Sequence, residues 1–296
     1  MKYKYIYLLA VLLCLTLFIV IGAGLLFPKK EPVPVSENDL QITVLDSKIR
    51  YKIHAGKNSV AGPVIILIHG FGGSLDHWKE IQPLLTRHKS IALDLVGFGG
   101  SDRPSISYDL DSQWRYLHEF MVMQKISNAI VVGISMGGSL SAWTAAKSKD
   151  RVTGLIMIAP SGLQGSLRKD WPFNILYRPG IPNRIAWVIT DNPLYRWLFR
   201  DSMAAQALSV TNSYDSQFAK TLEDVTQPAL LAWSKGDDTT LFEYHSGYQS
   251  RIKNIEFKEL PASLKHDVLR TDPKGTALLI NNFIDKLHQQ AIIEHR

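Results

Sequence analysis

The stretch from 129 to 147 constrains this chain more than any other. An apolar run, Ala129 to Val132, leads directly into Gly133-Ile134-Ser135-Met136-Gly137, and a helix-like segment, 140–147, follows. That is G-x-S-x-G between a strand and a helix. The two glycines suit a sharp strand-to-helix turn, because they put no Cβ beside a strained serine and leave room for the helix to lie on the strand. Such a turn lifts the Ser135 hydroxyl to the tip of a sheet and sets the Met136 N–H beside it at a helix N-terminus. The pentad alone is common, so its meaning depends on what the rest of the chain brings to it.

The flanking sequence supplies a sheet. Segments 40–45 and 48–54 read as two strands joined at Asp46-Ser47, a hairpin. Val64-Ile65-Ile66-Leu67-Ile68 is wholly apolar, as a strand buried on both faces must be. An amphipathic segment at 78–85, a strand at 90–95, a helix at 111–125, the serine strand and helix, and a strand at 152–158 follow. This alternation predicts a mostly parallel sheet with right-handed crossovers, flanked by helices. It stops after Pro160. From about 165 to 224 no strand pattern is visible, and Trp171, Trp187, Trp197 and several prolines appear instead. An insertion of about 60 residues within one sheet is long for a loop, so it reads as a helical cap. The alternation resumes with a strand at 229–233, a helix at 241–250, a strand at 255–260 and a last helix at 273–289. The expected organisation is a core of 40–164 and 225–296 interrupted by a cap at 165–224.

The N-terminus reads differently. Ile6 to Phe27 is 22 residues without a charge, bracketed by Lys2, Lys4, Lys29 and Lys30. As a helix it would be about 33 Å long, enough for a hydrocarbon core of roughly 30 Å. Residues 1–27 are therefore expected to form a retained single-pass membrane anchor rather than a cleaved signal, whose apolar core would be shorter. Residues 28–39, rich in proline and polar side chains, read as a linker with little capacity to pack. The domain that follows is expected on the extracytoplasmic side, although lysines at both ends specify orientation weakly. Those terminal lysines also account for most of the net charge of +6; beyond residue 30 the chain holds 29 basic and 27 acidic residues. That is not the footprint of a nucleic-acid binder. With Cys14 as the single cysteine there is no intrachain disulfide and no cysteine-based zinc site.

A serine at neutral pH is a poor nucleophile unless a base lies in hydrogen-bond reach and an acid orients that base. Two loops just past predicted strands offer them. Ser234-Lys235-Gly236-Asp237-Asp238 follows the strand at 229–233, and Pro261-Ala262-Ser263-Leu264-Lys265-His266 follows the strand at 255–260. Ser135, Asp237 and His266 are thus the candidate nucleophile, acid and base. Asp238 is the adjacent rival acid. His245 lies in an expected helix. His69 is expected to brace a loop, and Asp94 and Asp102 to hold loop conformation.

The chain order Ser, Asp, His, together with H-G-F-G-G at 69–73, D-x-x-G-F-G-x-S-D at 94–102, G-x-S-M-G-G at 133–138 and His266 to Pro273, resembles the α/β-hydrolase superfamily over nearly all of 40–290. The resemblance implies that the backbone N–H groups of Phe71 and Met136 form the oxyanion hole. It also favours Asp237, four residues after Trp233. Departures are Val96 for the usual proline, Ser234 for glycine, and Lys265 for the glycine that often precedes the histidine. A cation at 265 would disfavour an imidazolium next to it. Membrane-anchored monoacylglycerol lipases of this superfamily are similar in plan. The implied function is hydrolysis of carboxylic esters, lipid-like ones above all, by a lipase or esterase without cofactor or metal. C–C bond hydrolysis or perhydrolysis on the same triad, and a catalytically silent membrane-tethered binding module, are the alternatives. Oligomeric state is left open.

Overall fold

The computed structural model describes residues 2–26, 33–56, 62–104, 106–163, 165–166 and 216–294. An eight-stranded sheet runs through it. The strands are β1 (Leu40–Val44), β2 (Ser47–His54), β3 (Val64–Ile68), β4 (Ser90–Leu93), β5 (Ala129–Ile134), β6 (Val152–Ile158), β7 (Ala229–Ser234) and β8 (Ile255–Leu260), in spatial order β1-β2-β4-β3-β5-β6-β7-β8. β1 and β2 are antiparallel to each other, and β2 is antiparallel to β4; all other pairings are parallel. β4, β5 and β7 are buried along their whole length and, apart from Ser90 and Ser234 at strand ends, are apolar. β8 lies at the sheet edge, and its Glu256, Lys258 and Glu259 mark an edge that discourages further strand pairing.

α1 spans Lys2–Leu26. Helices α2 (Leu110–Met123) and α3 (Met136–Lys147) flank the sheet. Asp109 caps α2 by accepting a hydrogen bond from the Ser112 N–H. α3 packs on β5, β6 and α2, and a C-terminal helix, Pro273–Glu294, closes the chain.

Several details differ from the sequence reading. The hairpin turn is Leu45-Asp46, one residue earlier than expected, because Val44 pairs with Ser47 and Leu45 adopts a φ of 53°. The amphipathic segment at 78–85 is two short 3₁₀ turns, Leu75–Trp78 and Gln82–Leu84; Pro83 has no N–H to continue an α-helix. The helix expected at 241–250 is likewise split, into a 3₁₀ turn at Phe242–Tyr244 and a short helix at His245–Gln249.

The N-terminal readings also need revision. α1 is a helix, and its side chains described over residues 4–16 are all exposed. Among the described residues, however, no helix is long and apolar enough to cross a membrane, so the expected transmembrane anchor at 1–27 is not found as such. The second half of the 28–39 linker does pack. The Val33 N–H donates to the Gly99 carbonyl at 3.0 Å, and Asp39 is buried against Arg50. Residues 167–215, most of the expected cap, lie outside the described residues; its final part, Ser216–Thr221 and Leu222–Asp224, is helical.

Candidate active site

The register of the central strands decides what can meet. Ile68 at the end of β3 pairs with Gly133 near the end of β5, so the loop after β3 and the turn after β5 leave the sheet side by side. β4 lies on the other side of β3, so the chain crosses over β3 between β4 and β5. A reversal of this kind opens a crevice at the carboxyl ends of the strands. Ser135 sits there with φ 56° and ψ −122°, a conformation that costs about 1–3 kcal/mol in a residue bearing a Cβ. Both pentad glycines are needed for it. A Cβ on Gly133 would lie 2.0 Å from the Gly137 carbonyl oxygen, and one on Gly137 would lie 2.5 Å from the carbonyl oxygens of Ile68 and His69. Helix α3 can start immediately after the serine only because these approaches are open.

Two amide donors flank that serine. Met136 is the first residue of α3, where an N–H has no acceptor within its own helix. Phe71 lies in the turn after β3, and its N–H has no backbone acceptor among the described residues. The loop carrying Phe71 is braced from behind. His69 is fully buried; the Leu95 N–H donates to its Nε2 at 3.0 Å, so the ring proton is on Nδ1, which donates to the Gly70 carbonyl at 2.7 Å. Phe98 packs edge-on against both His69 and Phe71, with ring centroids 5.6 Å apart in each case.

Across the same edge, Ser234 at the end of β7 pairs with Leu260 at the end of β8. The loops that follow bring Asp237 and His266 together: His266 Nδ1 lies 2.8 Å from Asp237 Oδ2 and 3.1 Å from Oδ1. The Asp237 side chain is fully buried while that of His266 is 20% exposed, an acid held out of water behind a base that reaches it. The carboxylate is fixed by its own loop. Oδ1 accepts from the N–H groups of Thr239 (2.8 Å) and Thr240 (2.9 Å), and Oδ2 accepts from the Thr240 hydroxyl (2.9 Å). Among the described residues no hydrogen bond joins Ser135 Oγ to His266. The structure therefore brings acid and base into contact and places the serine on the same edge without that last bond, which in unliganded sites often forms only with substrate.

The rival residues are occupied elsewhere. Asp238 faces Lys265 at 3.6 Å, which directs that cation away from the His266 ring. Lys265 itself has φ 50°, the backbone conformation that explains the glycine usual at this position. His245 Nδ1 bonds to the Phe242 carbonyl, and its ring packs at 4.6 Å against both Phe242 and Phe257. Asp94 is fully buried and accepts from the N–H groups of Leu75 (2.5 Å) and Gly100 (2.6 Å) and from Arg50 (3.1 Å). Asp102 accepts from the Lys48 N–H at 2.8 Å. Both hold loops. Thr240, which touches both Asp237 and His266, was not singled out from the sequence, where it is one hydroxyl residue in a polar loop. Among the described residues no group of three histidine, cysteine or acidic side chains is placed to hold a metal.

Comparison with known proteins agrees with this architecture. The alpha/beta hydrolase fold family matches residues 63–187. The chain is 28% identical over 228 residues to Lipase 3 of Moraxella sp. (strain TA144), covering 68% of this chain and 71% of that one. It is 32% identical over 123 residues to a 2-hydroxy-6-oxo-6-(2'-aminophenyl)hexa-2,4-dienoic acid hydrolase of Metapseudomonas resinovorans, covering 40% and 41% of the two chains. That alignment spans about two-fifths of the relative's length. Among solved structures, a membrane phospholipase A described as a bacterial virulence factor superposes with a TM-score of 0.66 at 23% identity, over 97% of this chain and 99% of that one. The sheet order, the strained serine after β5, the Asp–His pair after β7 and β8 and these likenesses converge on one statement: the chain has the α/β-hydrolase fold, and its residues 63–187 match that family.

Proposed function

We propose that this protein is a serine hydrolase of carboxylic esters, with Ser135 as nucleophile, His266 as general base and Asp237 as the orienting acid. The observation that carries the reading is the buried Asp237–His266 pair on the edge where strained Ser135 sits beside two amides with no acceptor of their own. Ser135 Oγ attacks the ester carbonyl carbon while His266 takes its proton. The oxyanion that forms is held by the Phe71 and Met136 N–H groups, a pair in which removing one donor typically costs roughly 3–4 kcal/mol. His266 then protonates the departing alcohol. Water, deprotonated by the same imidazole, attacks the acyl-serine and releases the acid and Ser135. Asp237 keeps the Nδ1–H tautomer in place and stabilises the imidazolium in both halves.

The substrate is lipid-like, a monoacylglycerol or a related ester presented at a membrane surface. Likeness to a lipase and to a membrane phospholipase supports this, as do the uncharged run at 6–27 and the exposed apolar side chains of α1 between Ile6 and Leu15. A C–C hydrolase remains the competing chemistry, favoured by the second relative; Ile134, where such enzymes often carry asparagine, weighs against it.

A fluorophosphonate probe should label wild-type protein at Ser135, and Ser135→Ala should lose the label together with roughly 10⁴-fold or more of p-nitrophenyl ester hydrolysis. Full activity in that variant would end the serine reading. A series of p-nitrophenyl esters and monoacylglycerols should show a clear optimum in acyl length; a flat profile would sink the lipid reading.

A further inference from the structure

We propose that Thr240 is a positioning residue for the Asp237–His266 pair, an assignment that rests on the serine-hydrolase reading above. Its side chain is fully buried, and Oγ1 has three polar neighbours: Asp237 Oδ2 at 2.9 Å, the Ala159 carbonyl at 3.2 Å and His266 Nδ1 at 3.3 Å. A hydroxyl has one proton to give. His266 Nδ1 carries the hydrogen it directs to Asp237 and so cannot take that proton. Between the two oxygens the carboxylate wins, because it is nearer and the bond to it is charge-assisted. Thr240 therefore donates to the same oxygen, Oδ2, that His266 holds at 2.8 Å.

The backbone of Thr240 fixes where that hydroxyl stands. Its N–H donates to Asp237 Oδ1 at 2.9 Å, and its carbonyl accepts from the buried Trp233 Nε1 at 3.3 Å. Next along the chain, the Leu241 N–H donates to the Ser166 carbonyl at 2.7 Å. One residue thus grips both carboxylate oxygens while being pinned to β7 through Trp233 and, with Leu241, to the segment that follows β6. A side chain there without a hydroxyl would keep the loop but lose one of the two donors on Oδ2. The carboxylate would then be freer to rotate, and its charge at Oδ2 would face His266 alone. The first effect lowers kcat; the second favours the imidazolium and moves the acid limb of the pH profile upward.

The test starts with full-length wild type, which must show fluorophosphonate labelling of Ser135 and an acid limb in its ester hydrolysis; failure there overturns the serine reading and, with it, this one. Thr240→Val should then lower kcat about ten- to a hundredfold, change KM less than about twofold, and shift the acid limb to higher pH. Thr240→Ser, which restores the hydroxyl, should return both quantities close to wild type. Thr240→Ala provides the same comparison if the valine variant does not fold. If wild type labels and hydrolyses as expected while the Val or Ala variant keeps both kcat and acid limb, or Thr240→Ser fails to restore them, the positioning role is wrong. A merely structural threonine would change yield or melting temperature but leave the acid limb in place.

Discussion

Ser135 and Lys265 are held at φ 56° and 50°, and each bears a side chain the conformation does not favour. The two differ in what the strain serves. At Ser135 it points the hydroxyl off the sheet edge, so Ser135→Gly is expected to melt higher than wild type while hydrolysing nothing. At Lys265 the strain serves no contact with His266, since the amine faces Asp238. Lys265→Gly should therefore raise stability by about 1 kcal/mol with activity retained, read by thermal unfolding beside an ester assay. The converse change, Gly133→Ala, drives a methyl group into the Gly137 carbonyl and should unfold the serine turn. Residue scale is also where sequence reading stopped. Ser135, Asp237 and His266 could be proposed from sequence because Ser135 directly follows a strand and the other two follow strands by short loops. Thr240 was not, because nothing in Asp237-Asp238-Thr239-Thr240 says which hydroxyl folds back onto the carboxylate. Lys265 drew notice as a charge, but its backbone conformation proved the more informative property.

At the scale of elements, segment 33–39 and the C-terminal helix are each held by buried polar groups. Arg50 is buried among three acids: Asp39 at 2.7 Å, Asp94 at 3.1 Å and Asp76 at 3.3 Å. Removing only the cation leaves fully buried Asp94 without its ion partner and Asp39 with only Lys52 at 3.7 Å, so Arg50→Met should cost about 3–5 kcal/mol in denaturant unfolding. Burial works to raise the pKa of Asp39, but hydrogen bonds from the Ser36 N–H and from Arg50 outweigh it and hold the carboxyl below its ordinary value. Its contribution is complete above that ordinary value and is lost as pH falls through the lowered one. Exchange of the Val33 amide should therefore accelerate in acid before the sheet opens. The C-terminal helix shows the parallel case for a base. His88 stacks on His288 with ring centroids 5.2 Å apart, and His88 Nδ1 and His288 Nε2 have no hydrogen-bond partner among the described residues. Burial, then the neighbouring His288 and Arg87, lower the pKa of His88 against an opposing pull from Asp285. Neutral His88 thus favours the fold above about pH 6.5, and that contribution is lost as pH falls through the lowered value. His88→Phe should flatten the stability profile in this range, measured by melting temperature against pH.

Across the whole molecule, the sheet was the most legible feature. A strand buried on both faces, such as β3, must be apolar throughout, and its boundaries, like those of β6 and of the charged edge strand β8, coincide with those read from sequence. The hairpin turn slipped by one residue because Leu45 takes a left-handed conformation that leucine does not advertise. The linker was misread for a related reason. Its proline-rich composition describes local stiffness and says nothing of Gly99 or Arg50, partners 66 and 11 residues away from Val33 and Asp39. That docking has a practical consequence. Gly99 lies in the loop after β4, on the edge that carries Ser135, and seven Cα steps separate Leu26 from Val33. Seven steps reach at most about 25 Å. A support that holds α1 near Leu26 is leashed within that reach of Val33, and so of the loop after β4, whereas a support joined through the C-terminus is tethered through the last helix instead. Immobilised both ways, the protein should hydrolyse small esters alike and differ on bulky ones, the N-terminal attachment giving the lower rate on substrates supplied from solution.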